Sequence, residues 1–404
     1  MSVSRDVSRR WGRAALALVA AMAPVMSAAQ MVTWQSWTFD HAVASNFTGL
    51  SLLNVTYQGR SLIEKISFPV VRVFYEDDEC GPFADRLGGT LSTIPWANNS
   101  TLAQREFTLN GRQWYEIGIR DQIGNYDMYQ VYYLSADGII DAHFFSKGLE
   151  CVVDHIHYPN WRIDFALDGD DSEQIQSDAG AGFVTHTQEF NAAAASAVNH
   201  AWRVRDAVTG LYVDIMPGFT DFTIPTSATT EPVSGYDNNT AFGRLYRSVE
   251  DTGWTHGPNT QVPYNNGQAI DSVDVVFWYE SYLPHDSSEG SQLWHSTGVR
   301  LVTSLGDPDA DGATNAVDNC TLVANNTGPT AQCDADGDDY GNLCDADLNQ
   351  SNLVTSADYV ILRSALNTSN PVADLDCSGL VTATDYVILR SRLNTPPGPS
   401  GLAP

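Results

Sequence analysis

The sequence of 404 residues predicts a mainly β protein, a large antiparallel β-sandwich followed by small C-terminal modules of which the last is α-helical. In residues 30–303 charges are few, Trp and Tyr are many, and short alternating runs such as MYQVYYLSADGIIDAHFF surround turn residues, as in antiparallel hairpins. After residue 304 the composition changes to loops rich in Asp and Gly. Within the first region, only EFNAAAASAVNHAW, residues 189–202, has the composition of a helix.

The N-terminal segment, residues 1–29, has the pattern of a secretory signal peptide. Basic residues precede an apolar run over residues 14–25, and small residues follow at positions 27–29. The pair Arg9 and Arg10 also fits twin-arginine export, and the sequence does not choose between the two routes. No other stretch approaches the ~18 apolar residues of a membrane span. We therefore expect a secreted protein, extracellular or periplasmic, whose modules could attach it to a cell surface.

Cysteine content and net charge narrow the class of protein further. The six cysteines form an even set that suits an oxidising compartment, and the sequence does not choose among their pairings. The formal net charge of −28 argues against a nucleic-acid partner, because phosphates would be repelled. Much of that charge lies in residues 305–385, where 14 aspartates accompany a single basic residue, Arg363.

Residues 304–346 contain aspartates at every second position around two glycines, in DPDADGATNAVDNC and QCDADGDDYGNLCDAD. Tight loops of this kind collect the six or more oxygen ligands that calcium requires. A solvated acidic linker is the alternative, but it would not need glycines and cysteines at these offsets. The segment resembles thrombospondin type 3 repeats. Its predicted calcium ligands are Asp307, Asp309, Asp311, Asp334, Asp336 and Asp338.

An internal repeat follows, because DLNQSNLVTSADYVILRSALN and DLDCSGLVTATDYVILRSRLN begin 27 residues apart. Each copy places oxygen-bearing side chains at the ligand positions of an EF-hand-like calcium loop, and each loop runs into a helix. Residues 347–393 resemble a dockerin module, which implies a cohesin-like partner; a purely structural module is the alternative. Residues 394–404 are expected to form a flexible tail. The predicted ligands are Asp347, Asn349, Ser351, Thr355 and Asp358, then Asp374, Asp376, Ser378, Thr382 and Asp385.

Two histidines one residue apart interrupt a strand-like run in DHIHYPNWRIDFALDGD. Side chains alternate along a strand, so His155 and His157 share one face and could bind one small ion. A polar strand face without a metal is the alternative explanation, and the pair alone does not decide between them.

Three separated motifs occur in the order found in the copper amine oxidases: QIGNYDMYQVYYLSADGII, HIHYPNWRIDFALDGD and DVVFWYESYLPHD. Residues 30–303 therefore resemble the catalytic domain of that family, a large β-sandwich. The resemblance implies that Tyr126, preceded by Asn125, is the precursor of the cofactor topaquinone. It implies three copper ligands: His155, His157 and His285.

A fourth motif, PVVRVFYEDDECGPFADRLGG, resembles the family's segment that contacts the cofactor. The resemblance implies that Tyr75 hydrogen-bonds the quinone and that Asp85 is the catalytic base. The spacing between them is a few residues shorter than in the family. This leaves three other candidate bases: Asp78, Glu79 and Asp121.

The chemistry of these residue types is consistent with that resemblance. Three neutral imidazoles suit copper(II), and they equally suit zinc. The tyrosine in the Asn-Tyr-Asp motif favours copper, because a quinone precursor requires a redox metal. A carboxylate with a raised pKa can take a proton from the carbon beside the substrate nitrogen.

The sequence also departs from the family pattern. Only 29 residues separate Tyr126 from His155, where the family has an additional dimer-forming arm, so a homodimer is left open. Gln122 replaces a threonine, and Ala166 replaces one aspartate of a peripheral calcium site, which is therefore expected to be weakened. That site retains Asp164 and Asp274.

Two further expectations concern the surroundings of the copper ligands. Cys80 and Cys151 lie beside the motifs, so a disulfide between them would stabilise the site. Among the remaining histidines, His143 and His295 are expected to be nearest to the ligands.

The sequence thus predicts a secreted oxidase that converts a primary amine, water and oxygen to an aldehyde, ammonia and hydrogen peroxide. The alternative is an inactive protein of the same fold that serves calcium-dependent binding or surface assembly.

Overall fold

The computed structural model describes residues 30–44, 49–76, 80–88, 102–109, 112–151, 153–169, 171–178, 183–193, 201–218, 230–231, 239–248, 265–327 and 330–402. All statements below concern these residues. The predicted signal peptide, residues 1–29, lies outside them. The described part of the chain contains no helix long and apolar enough to cross a membrane.

The fold is mainly antiparallel β, as predicted, and its strands form two large sheets. The first sheet has the strand order β1-β2-β3-β4-β10-β18-β17-β13, with β5 paired to β4 and β19 paired to β10. Its strands are β1 Gln30–Trp34, β2 Trp37–Ala44, β3 Gly49–Tyr57, β4 Arg60–Tyr75, β5 Phe83–Asp85, β10 His155–Phe165, β13 Phe190–Ala193, β17 Thr240–Leu245, β18 Val275–Glu280 and β19 Leu283–His285.

The second sheet has the order β12-β11-β14-β15-β20-β9-β8-β7-β6, with β16 paired in parallel to β20. Its strands are β6 Leu102–Leu109, β7 Arg112–Ile123, β8 Tyr126–Ser135, β9 Ile139–Lys147, β11 Glu173–Asp178, β12 Phe183–Thr185, β14 Ala201–Asp206, β15 Tyr212–Pro217, β16 Thr230–Glu231 and β20 Trp294–Thr303.

The core lies between the two sheets and is rich in aromatic residues. Phe68 of the first sheet packs on Trp161, with ring centroids 4.4 Å apart, and on Phe144 of the second sheet at 5.4 Å. The ring of Tyr132, in the second sheet, also packs against Trp161, with centroids 5.8 Å apart. Burial of such large apolar side chains is the main favourable contribution to folding.

The hairpin predicted around the Ala-Asp-Gly turn is present, since β8 pairs with β9 in antiparallel register. Gly138 has a φ of 101°, a conformation that L-residues rarely adopt, and its Cα faces Gly306 so closely that a Cβ would lie only 2.7 Å from the Gly306 Cα. Glycine is therefore required at this turn.

Residues 189–202, whose composition is that of a helix, contribute to strands where the structure describes them. Phe190–Ala193 forms β13, which pairs with β17, and Ala201–Asp206 forms β14, which pairs with β11 and β15. Alanine is the strongest helix former, but helix propensity is a weak preference, and pairing with neighbouring strands outweighs it here.

The C-terminal modules contain two helices, α1 Ser356–Ala365 and α2 Ala383–Ser391. Each begins with a capping box: the side chain of Thr355 or Thr382 accepts a backbone N–H of the first turn, and the carboxylate of Asp358 or Asp385 accepts the backbone N–H of that threonine. In residues 394–404, predicted to be a flexible tail, the Gly401 N–H donates to the Asp318 carbonyl at 2.8 Å.

Three disulfides connect all six cysteines. Cys80 pairs with Cys151 in the sandwich, as expected, and the other two lie in the C-terminal region: Cys320–Cys344 and Cys333–Cys377.

Candidate metal centre

Strand β10 positions two of the candidate ligands at one end of the sandwich. His155 lies opposite Tyr75 of β4 on one side and opposite His285 of β19 on the other. His157 lies two residues further along β10 and therefore on the same face. Because directly opposite residues in an antiparallel pair share a face, all three imidazoles are directed to the same side of the sheet.

The three histidines form one compact buried cluster. Their candidate ligand nitrogens all lie within 4.8 Å of one another, and each side chain is at most 3% exposed. His157 Nδ1 lies 3.3 Å from His285 Nε2. The structure thus joins residues that are 128 positions apart in the sequence.

The electrostatics of this cluster suit a transition metal. Burial lowers the pKa of His155, and it lowers the pKa of His157 and His285 well below the usual range. All three imidazoles are therefore neutral near pH 7 and have lone pairs available for coordination. His157 Nε2 is buried and has no hydrogen-bond partner, which is costly unless another group, such as a metal ion, satisfies it. The residues present fit a metal ion.

Tyr126 is the first residue of β8, in the opposite sheet, and its hydroxyl faces the histidines. The Tyr126 Oη lies 2.9 Å from the Tyr75 Oη and 3.1 Å from His155 Nε2. Its ring centroid is 4.8 Å from that of His157. Burial and the hydrogen bond to Tyr75 raise the pKa of Tyr126, so the phenol is neutral in the metal-free protein. The Asn125 side chain is exposed and donates to the Leu149 carbonyl at 3.4 Å.

Asp85 ends β5 and shares the inner face of the first sheet with the histidines. It lies opposite Val71, which is four residues before Tyr75 on β4 and therefore on the same face. Burial, together with the charge of Glu150, raises the pKa of Asp85 to about 6. A carboxyl with this pKa can accept and release a proton near neutral pH.

The other candidate bases differ in their availability. The Asp121 carboxylate is buried and accepts the Gly88 N–H at 2.6 Å, a contact that suits a structural role. Asp78 and Glu79 lie outside the described residues.

His143 and His295 are the two histidines expected nearest to the ligands, and they have different contacts. The ring of His295 stacks on that of His285 with centroids 4.0 Å apart, and its Nε2 is 3.0 Å from a Glu289 carboxylate oxygen. His143 instead hydrogen-bonds Asp141 at 2.6 Å beside Arg300.

Glu150 contacts the turn before Tyr126, a position that no pattern in the sequence indicates. Its backbone N–H lies 3.3 Å from the Tyr126 Oη, and its carboxylate accepts the Asn125 N–H at 3.0 Å. No sequence motif includes this residue, so its position next to Cys151 was the only available indication. A polar cavity of about 420 Å³ opens beside the same turn, and Gln122, Asn125 and Lys147 are among its lining residues.

At the peripheral calcium site that the sequence predicts to be weakened, the Asp164 carboxylate lies 3.2 Å from the Arg162 guanidinium. The weakened site stays a prediction.

Acidic side chains do converge in the C-terminal region. In each of three groups the carboxylate oxygens lie within 4.8 Å of one another. Burial and neighbouring carboxylates raise the pKa of Asp309 to about 7 and that of Asp336 to about 6, as expected for like charges held together without a cation. The three groups are Asp307, Asp309 and Asp311; Asp334, Asp336 and Asp338; and Asp374, Asp376 and Asp385.

The first of the two repeated loops shares several internal hydrogen bonds with the second. The Ser351 hydroxyl is 3.3 Å from an Asp347 oxygen, and the Asn349 N–H donates to Asp358 at 3.2 Å. In the second loop the Asp376 N–H donates to Asp385 at 3.1 Å. The two loops therefore have matching geometry, as the repeat predicts.

No protein-family profile matches the chain, and no curated protein matches it. Among solved structures it is similar to a copper-containing benzylamine oxidase from Hansenula polymorpha (14% identity, 68% of this chain and 59% of that chain, TM-score 0.49). It is also similar to the Pichia pastoris lysyl oxidase (14% identity, 70% of this chain and 53% of that chain, TM-score 0.49). A third similar structure is an Aspergillus nidulans amine oxidase (14% identity, 73% of this chain and 55% of that chain, TM-score 0.48). The chain thus spans just over half of each of these proteins. Likeness at this level assigns no activity to the chain.

Proposed function

We propose that this protein is a secreted, copper- and topaquinone-dependent primary-amine oxidase. The observation that carries the proposal is the 3.1 Å distance between the Tyr126 Oη and His155 Nε2, at a buried cluster of three neutral imidazoles. Zinc would suit the same three ligands. A buried tyrosine hydroxyl beside the ligands, in an Asn-Tyr-Asp motif, favours copper instead.

His155, His157 and His285 would hold the copper ion, and Tyr126 would be the cofactor precursor. Copper(II) with oxygen would supply the oxidising chemistry that converts the tyrosine ring to topaquinone, and topaquinone would accept the electrons of the amine. The hydrogen bond from Tyr75 would hold the cofactor oxygen in place, and the surrounding burial would exclude water.

Asp85 would act as the base that removes a proton from the carbon beside the substrate nitrogen. Its raised pKa, about 6, and its position on the inner face of the sheet support this role. The overall reaction consumes a primary amine, oxygen and water and yields an aldehyde, ammonia and hydrogen peroxide, which balances atoms and electrons.

The C-terminal aspartates would bind calcium, and the helical module would bind a cohesin-like or other cell-surface partner. The convergence of carboxylates in three groups supports the calcium proposal. The disulfides support an oxidising, extracytoplasmic location.

The proposal is tested with protein prepared without copper. On addition of Cu(II) in air, the wild-type protein is expected to develop a visible absorption band, to stain for quinone and to release peroxide with primary amines. His157→Ala removes a ligand and should prevent all three. Tyr126→Phe removes the oxygen to be oxidised, so it should bind copper and develop no band.

A matched control is His186→Ala, a histidine remote from the cluster whose ring stacks on Phe190 at 4.1 Å. This variant should mature as the wild type does. Copper-loaded wild-type protein that never stains for quinone would refute the oxidase proposal and favour the alternative, an inactive protein that serves binding or assembly.

A further inference from the structure

Residues 148–151 lie directly across the turn that leads into Tyr126. A Cβ added to Gly148 would lie 2.3 Å from the Asn125 carbonyl oxygen and 2.9 Å from the Tyr126 Cα. Gly148 also has a φ of 130°, which L side chains rarely adopt. The two backbone segments therefore approach as closely as glycine permits.

Glu150 makes two separate contacts with that turn. Its carboxylate Oε2 accepts the Asn125 backbone N–H at 3.0 Å, and its own backbone N–H donates to the Tyr126 Oη at 3.3 Å. The carboxylate lies over Gly124, where an added Cβ would be 2.3 Å from Oε2. One residue thus contacts both the backbone before Tyr126 and the hydroxyl of Tyr126 itself.

The segment that contains Glu150 is itself fixed on both sides. The next residue, Cys151, forms the disulfide with Cys80, which connects it to the segment between β4 and β5. The preceding residue, Leu149, accepts the Asn125 side-chain N–H at 3.4 Å. Glu150 therefore has little freedom to move away from the turn.

We propose that Glu150 is a positioning residue: its carboxylate holds the turn before Tyr126 and thereby keeps the Tyr126 hydroxyl in line with the imidazole cluster, so that the tyrosine is oriented for oxidation. This inference rests on the proposed function. The Glu150 carboxylate accepts the Asn125 N–H, so the side chain acts through the turn that carries Tyr126 rather than on the substrate. The backbone N–H that reaches the Tyr126 Oη is kept in every variant tested below. Its negative charge also contributes to the raised pKa of Asp85, which places the two carboxyl groups in the same local environment.

The test compares wild type with Glu150→Ala, which removes the acceptor, and Glu150→Gln, whose amide oxygen can still accept the Asn125 N–H. Hydrogen–deuterium exchange of the copper-free protein reports on the turn without any cofactor. Exchange of the amides in residues 124–126 should rise by about tenfold in Glu150→Ala, the order expected for loss of one hydrogen bond to a charged acceptor, and should return close to wild type in Glu150→Gln.

The second measurement is copper loading without oxygen, followed by the rate of quinone formation after oxygen is admitted. Glu150→Ala should bind one Cu(II) per chain, as wild type does, and form the quinone about tenfold more slowly. Glu150→Gln should restore the rate, whereas a merely structural defect would also reduce copper loading. Glu106→Ala, which removes an exposed carboxylate from β6 of the same sheet, is the matched control.

The outcomes separate this inference from the proposed function. Wild-type protein without quinone would refute the oxidase proposal, and the exchange measurement would still decide whether Glu150 holds the turn. Wild-type exchange or a wild-type maturation rate in Glu150→Ala would overturn the inference, as would a Glu150→Gln variant as impaired as Glu150→Ala.

Discussion

The hydroxyl of Tyr126 has hydrogen-bonding neighbours from three separate segments of the chain. They are the Tyr75 hydroxyl at the end of β4, His155 Nε2 on β10 and the backbone N–H of Glu150. The position of one oxygen atom on β8 of the second sheet therefore depends on two strands of the first sheet and on the segment after β9. This arrangement is typical of a functional group held by rigid elements.

These residues differ in how far the sequence could predict them. His155 and His157 are two positions apart, so strand periodicity alone places them on one face. His285 joins them only through the pairing of β19 with β10, and no local pattern indicates that pairing; the family resemblance supplied it. Glu150 was missed because a single acidic residue outside a motif gives no indication of the backbone N–H groups it will face.

Asp85 is expected to destabilise the folded protein at neutral pH relative to acid pH. Its folded-state pKa, about 6, lies above the usual range, so the folded state binds a proton that the unfolded state has already released between about pH 4 and pH 6. The contribution of Asp85 to the stability of the folded state therefore falls as pH rises from about 4 to about 6.

This prediction is tested with Asp85→Asn, which cannot ionise. It should gain stability relative to wild type on going from pH 4 to pH 7, as measured by urea unfolding of copper-free protein. A difference that is independent of pH would contradict the raised pKa.

The same residue gives a kinetic prediction that rests on the proposed function. Amine turnover should rise with pH through about 6, as Asp85 loses its proton and becomes able to accept one. Asp85→Asn should still stain for quinone after copper loading, yet release peroxide at least about a hundredfold more slowly, the lower range for loss of a general base. Peroxide release with a panel of primary amines measures this, and wild-type turnover in Asp85→Asn would direct attention to Glu79 or Asp121.

At the scale of elements, β4 connects the core to the candidate site. Its first part pairs with β3, and Val71 to Val73, near its end, pair with the short strand β5. The alternating runs of the sequence predicted antiparallel strands, and that fold class is confirmed. The partner of each strand was not predictable, because alternation specifies which face is buried and not which strand lies beside it. The Ala-rich segment near β13 illustrates the limit, since its partner strand determined its conformation.

The Cys80–Cys151 disulfide should stabilise this end of the sandwich. It closes a loop of 71 residues, and the loss of unfolded-state entropy corresponds to about 4 kcal/mol in the chain-entropy treatment. The double variant Cys80→Ala/Cys151→Ala should therefore unfold at lower urea concentration, with faster hydrogen exchange in residues 80–88 and 148–151. Cys333→Ala/Cys377→Ala is the matched control for location: it loses a disulfide of the C-terminal region and should leave hydrogen exchange in residues 80–88 and 148–151 unchanged. Unchanged stability and exchange in the first variant would contradict this prediction.

At the scale of the whole molecule, the C-terminal modules contact the sandwich through a few defined hydrogen bonds. The Tyr212 hydroxyl, on β15, donates to the Asn315 carbonyl at 3.1 Å and to the Gly401 carbonyl at 3.3 Å. The Tyr340 hydroxyl donates to an Asp178 carboxylate oxygen at 3.4 Å. The charge pattern of the sequence predicted a separate acidic region, but it could not predict that the end of the chain returns to the sandwich, because that contact depends on backbone carbonyls.

Removal of calcium should therefore loosen residues 305–402 and leave the imidazole cluster intact. Without a cation, the crowded carboxylates of the three acidic groups repel one another, whereas the histidines lie in the core between the two sheets and depend on no acidic loop. Limited proteolysis with mass spectrometry should show cleavage after residue 305 in the presence of a chelator, protection on addition of calcium, and unchanged copper binding in both states.

Asp385→Ala should reduce that protection by calcium within residues 374–393. Asp271→Ala, which removes an exposed aspartate of the sandwich, should leave the protection unchanged. Equal resistance of residues 305–402 with and without chelator would show that the acidic groups need no ion.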